Sequence, residues 1–247
     1  MNQFVSSAYR TFLLLGIYGI AMGFLEGIVV VYLRELYFPE GFSFPLSQMP
    51  SRMLSVEWLR EVATIVMLVS IGMIAGKNFL QRFSYFLYSF AIWDIFYYIA
   101  LKLLLDWPPS LLTWDLLFLI PVAWVGPVLA PVICSLVMIL FAFLIVGFQE
   151  RGYPVSIRTG EWASMISGAF IIFCMFIWDY SALIIRGGYL SGFWKLASNE
   201  QFLQITSHYQ PTHFNWYLFG FGILLILSAL LFIFRRTRSA QRRTSLS

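Results

Sequence analysis

Residues 83–105 read FSYFLYSFAIWDIFYYIALKLLL, an apolar and aromatic run with a single acid, Asp94, eleven residues from either end. A stretch of this length covers the hydrocarbon thickness of a bilayer as an α-helix. An aspartate at its centre costs about 2.5–3.5 kcal/mol on insertion scales. It therefore has to be satisfied inside a helix bundle or a wet cavity. The fold reading is an all-α, polytopic membrane bundle, and Asp94 is the first candidate for function.

The rest of the chain agrees. Of 247 residues, 60% are hydrophobic and 11% charged, with a mean hydropathy of +0.79; a soluble domain carries about 25% charged residues. Further apolar runs cover about 11–37, 56–76, 127–148, 162–185 and 214–234, which makes six expected spans in one transmembrane domain, followed by a basic tail over 235–247. The run 116–148 is too long for one crossing, and Pro121, Pro127 and Pro131 interrupt its first half. Proline removes a backbone hydrogen bond and breaks a helix. Ser110 to Gly126 is accordingly expected as a separate short outer helix, interfacial or re-entrant. The segment 191–209 (SGFWKLASNEQFLQITSHY) mixes Phe193, Trp194, Leu196, Phe202, Leu203 and Ile205 with polar residues and is expected to lie amphipathically on the outer surface. The N-terminal run shows no small-x-small cleavage site and reads as an uncleaved first span.

Charge sets the expected orientation. With the N-terminus inside, ten Lys and Arg residues fall on the cytoplasmic side and six outside, and the inner loops are short. This predicts cytoplasmic termini, in a plasma (inner) membrane. The net charge of +4 is concentrated in the tail and is no nucleic-acid signature. Cys134 and Cys174 lie within apolar runs and read as core residues.

Three of the four aspartates follow tryptophan: Trp93-Asp94, Trp114-Asp115 and Trp178-Asp179. At about 1.5 Å per residue, Glu26, Glu57, Glu61, Asp94, Asp115 and Asp179 all fall in the outer half of the expected membrane or at its edge. Intramembrane carboxylates default to function. Glu26, Glu61, Asp94 and Asp179 are the candidate catalytic residues, expected to converge on one outer cavity, with Asp94 as the buried acid and Glu61 or Glu26 as its ionised partner. Glu57, Arg60, Tyr97, Tyr98, Asp115 and Arg186 are candidate substrate-binding residues, with Arg186 seven residues after Asp179 on one helix face. His208 and His213, in SHYQPTH, are a weak candidate metal pair. Gly19, Gly23 and Gly27 recur every four residues, a row that lets helices approach closely and a candidate contact for a partner membrane protein.

No histidine lies inside an expected span, which argues against bis-His haem and His-rich di-iron centres. No P-loop or dinucleotide fingerprint is present, and no G-x-S-x-G-like string. The sequence names no cofactor. Three readings remain open: an enzyme or binding protein for a lipid or other hydrophobic substrate, an accessory or assembly subunit of a membrane complex, and a small proton-coupled transporter. The broken stretch at 121–131 favours the last, and the scarcity of polar residues in the inner half opposes it.

Overall fold

The computed structural model describes residues 3–47 and 49–244. Among these, six long apolar helices satisfy the length and composition of membrane spans. They are α1 (Gln3–Tyr37), α2 (Ser51–Ala75), α3 (Phe79–Leu105), α4 (Leu129–Gln149), α5 (Thr159–Arg186) and α7 (Trp216–Thr244), with a short α6 (Glu200–Thr206) before the last. The all-α membrane bundle expected from the hydropathy pattern is the observed fold. Because consecutive spans alternate in direction, the bundle has a tail end, where α1 begins and α7 ends, and a loop end, which holds the longer connections. The last helix runs past Phe234 to Thr244, so the described part of the basic tail continues α7. Ser245–Ser247 of that tail lie outside the described residues.

Local sequence sets the helix ends. Asn78 caps α3, its side chain accepting from the Gln81 amide at 3.0 Å, which satisfies one of the donors left free at a helix start. Asp106 ends α3 in the left-handed region at φ 51°. Glu161 in the first turn of α5 accepts from the Arg158 amide at 2.8 Å and pairs with Arg236 of α7, tying the tail ends of the two helices together.

Helix α3 is the hub, with α1, α2 and α4 packed on it. Helices α5 and α7 pair with each other and join the rest through α4 and through the segment 124–127, which packs on α5. Glycines make the closest crossings. A Cβ on Gly23 would sit 2.8 Å from the Trp93 carbonyl and 2.9 Å from the Tyr97 amide, and one on Gly27 would sit 2.8 Å from Ala100 Cβ. The row Gly19, Gly23, Gly27 is thus filled by α3 of the same chain. This corrects its expected use as a contact for another membrane protein: the narrow face is already occupied. Gly168 and Gly222 do the same for α5 and α7, a Cβ on Gly168 falling 2.5 Å from the Gly222 carbonyl.

The segment 110–126 corrects the second expectation. It is separate from the fourth crossing, but it is a β-hairpin rather than a helix: β1 (Trp114–Phe118) pairs antiparallel with β2 (Trp124–Pro127), with Asp115 opposite Gly126 and a bulge before Phe118. Pro108, Pro109 and Pro121 leave eleven residues between breakers, and a helix that short would strand most of its terminal amides and carbonyls. Two strands close part of the ladder on each other, and Trp, Leu, Phe and Val suit a pleated surface. Irregular backbone at this depth persists only where protein covers it, and this hairpin is covered. Leu119 donates its amide to both oxygens of Glu61 at 3.0 Å. Gly126 admits Phe176, whose ring would lie 2.9 Å from any Cβ there.

The loop-end segment 191–209, expected on the outer surface, forms a 3-10 stretch (Tyr189–Ser198) and α6. Phe202 is buried and packs with Tyr180, Ile184 and Val125. Ile205, counted in the same apolar set, is exposed. The side chains of Phe193 and Trp194 lie outside the described residues.

Candidate functional site

One cavity of about 470 Å³ runs through the bundle, within the size range of small-molecule sites. Its loop-end part is a polar chamber and the rest is an apolar limb.

Five carboxylates line the chamber: Glu26, Glu57, Glu61, Asp94 and Asp115. They come from α1, α2, α3 and β1. Glu57 and Glu61 are one turn apart and both are buried, as their i, i+4 spacing on one helix face requires. Arg60, between them in sequence, donates through Nε and Nη2 to Glu57 at 2.8 Å and through Nη1 pairs with Glu26. One guanidinium thus serves two acids on two helices, a use of its planar fork that lysine could not reproduce. Asp115 is 1% exposed. It lies 3.5 Å from Arg34 and accepts from the Tyr98 hydroxyl at 3.1 Å. Burial pushes its carboxyl up to about 6 against the opposing pull of Arg34 and Tyr98. Arg34 is itself stacked against Trp107 (3.8 Å to the ring centre) and Phe42 (4.3 Å), which holds a buried cation between two π faces.

Asp94 and Glu61 differ from the other three acids. Asp94 accepts from the Ser135 hydroxyl at 2.8 Å, and Glu61 accepts from the Leu119 amide. Neither has an arginine within ion-pairing distance among the described residues, whereas Glu26, Glu57 and Asp115 do. Two buried donors of cavity-lining residues, Arg34 Nη1 and Trp93 Nε1, have no hydrogen-bond partner among the described residues. Buried polar groups are rarely left so.

Of the four candidate catalytic residues, Glu26, Glu61 and Asp94 line this cavity, and Asp179 does not. Asp179 accepts from the Tyr209 hydroxyl, beside Tyr180, at the loop end. Its sequence neighbour Trp178 is 62% exposed on the lipid-facing side. The shared Trp-Asp string therefore marks two different environments, because the helix face decides what a pair meets. Arg186 is exposed and forms no ion pair among the described residues, so the expected Asp179–Arg186 contact is replaced by the tyrosine. Glu57, Arg60, Tyr97, Tyr98 and Asp115 line the cavity. Tyr98 serves Asp115, not Asp94. His208 is exposed and turns its ring to the Gln204 carbonyl at 2.8 Å; His213 is exposed. Among the described residues no group of three His, Cys, Asp or Glu side chains is placed to hold a metal ion, so neither histidine gains a third ligand.

Sequence reasoning missed Ser135, Trp107 and the Leu119 amide. Ser135 had a signal: it is the one hydroxyl residue in α4, and Asp94 required a donor.

The limb continues from the chamber along α3 and α5, past Phe90, Leu87 and Phe83 on one side and Phe173, Ala169 and Trp162 on the other. From Tyr97 back to Phe83 is about 21 Å along the helix axis. Comparison with protein-family models, with curated proteins and with solved structures gave no match for this chain.

Proposed function

We propose that this membrane protein binds an elongated amphiphile of the lipid class. The chamber takes the polar head and the limb takes an apolar portion. The supporting observation is the continuity of the two parts: one cavity joins five carboxylates and two arginines to an aromatic-lined channel, the whole extending about 21 Å along α3. The chamber carries more acids than bases, which favours a head that donates hydrogen bonds. Its unpartnered Arg34 and Trp93 donors favour one that also accepts. Hydroxyl groups do both.

Asp94 and Glu61 are the acids left to act on that head, because the other three are engaged by Arg60 and Arg34. As a pair they could relay a proton to and from a bound hydroxyl, so the same geometry suits an enzyme of acid–base type. We place the loop end outside and the termini in the cytoplasm on the ten-to-six distribution of basic residues. The head would then sit in the outer leaflet.

The test is substitution at constant shape. In Glu61→Gln and Asp94→Asn, amphiphile retained through purification falls by about ten- to a hundredfold, the loss of a hydrogen bond to a charged group worth ~1.5–3 kcal/mol. Expression and thermal unfolding stay close to wild type. Full retention in both variants, at wild-type stability, would make these acids packing residues and remove the reading.

A further inference from the structure

We propose that the gap between α3 and α5 is a lateral window through which one hydrocarbon chain of a bilayer amphiphile enters the limb; this rests on the amphiphile reading above and names the route and the part of the ligand that uses it. Helices α3 and α5 do not pack along their length as α3 does with α1, α2 and α4. They meet at the two ends of the gap. Near the tail end Trp162 contacts Phe83 at 6.1 Å and Phe79 at 6.4 Å. Near the loop end the hairpin bridges them, Phe118 stacking on Phe90 at 6.3 Å and Trp124 meeting Phe173 at 5.1 Å. Between these closures the free stretch is about 10 Å along α3 and about 16 Å along α5.

Two residues show that this stretch is open. Ile166 and Ala169 line the cavity and are exposed, Ile166 by 62%, whereas Phe141 and Met165 in the same lining are 4% and 7% exposed. Exposure on this side of the lining marks a gap in the wall. The depth also fits. Ile166 is seven residues into α5, about 10 Å from the tail end, which is hydrocarbon depth. Water does not enter there, so the occupant must be apolar. The polar chamber lies at the opposite, loop end. A lipid whose head lies in the chamber has its chain directed toward the tail end, where the window faces the bilayer interior. Burying each methylene contributes about 0.8 kcal/mol relative to water. Transfer from hydrocarbon brings no such gain, so the chamber provides the affinity and the window provides access.

The experiment uses the full chain in phosphatidylcholine–phosphatidylglycerol vesicles containing a long-chain alcohol with a mid-chain diazirine, followed by peptide mapping of the adducts. Phe141 and Met165 line the limb and are shielded from bulk lipid, at 4% and 7% exposure. Adducts are expected on both. Ala169→Trp, which fills the window, reduces these adducts about tenfold; Leu87→Trp does so from the opposite wall. Phe170→Trp changes nothing, since Phe170 is 63% exposed and lies outside the cavity lining. Adducts on Phe141 and Met165 that persist unchanged in both blocked variants would overturn the window. So would their absence from a wild-type protein that still retains an amphiphile on purification. A wild-type protein that retains none contradicts the amphiphile reading itself, and the window with it.

Discussion

Arg60→Met is expected to destabilise the protein by about 3–5 kcal/mol, the cost of removing one partner from a buried ion pair. The side chains of Arg60, Glu26 and Glu57 are 21%, 12% and 6% exposed, so water cannot replace the lost cation. Two carboxylates on two helices that both pack on α3 would be left unpaired, and each would have to take up a proton or move away from the other. Thermal unfolding in detergent reads the loss directly. The triple variant Arg60→Met with Glu26→Gln and Glu57→Gln recovers most of it, because the penalty lies in the orphaned charges and not in the missing guanidinium contacts. An Arg60→Met protein that melts like wild type would show that the three groups are independently solvated.

Gly23→Leu is expected to cost about 3 kcal/mol, the upper part of the range for overpacking. The three atoms nearest to a new Cβ all belong to α3: the Trp93 carbonyl at 2.8 Å, Phe96 Cβ at 2.9 Å and the Tyr97 amide at 2.9 Å. No flexible side-chain tip can yield there, so α1 must move off α3. That movement draws Glu26, one turn along α1, away from Arg60, so Gly23→Leu impairs the chamber as well as the fold. Gly220→Ala in α7 is the control. Nothing lies within 4 Å of its Cβ, and alanine is favoured over glycine in a helix by about 1 kcal/mol. Equal melting of the two variants would contradict the close α1–α3 crossing.

The spans were legible in the sequence because a bilayer demands about twenty apolar residues per crossing, and little else produces such runs. The chamber was partly legible for the same reason. A buried acid at Asp94 or Glu61 is too costly to be incidental, and the alternating direction of the spans places Glu26, Glu61 and Asp94 at one end. Depth can be read by counting residues. Direction around the helix axis cannot, and Asp179 shows the difference: it has the right depth and the wrong face. The hairpin was hidden because LLTWDLLFLI suits either structure. Its choice depends on the Glu61 carboxylate, more than fifty residues away, accepting from Leu119. The glycine row was visible as a close-packing surface, but its partner was not, since spacing says nothing about which helix arrives.

We infer that the cavity holds an amphiphile with its head among the carboxylates. Native mass spectrometry of the purified protein, released from gentle detergent, is expected to show an added mass that dissociates at higher activation energy, that is extracted into organic solvent as a hydroxylated lipid, and that is lost in Ser135→Trp, which fills the chamber beside Asp94. A protein that flies at its bare mass under the gentlest conditions, or an adduct equally abundant in Ser135→Trp at unchanged stability, would contradict it.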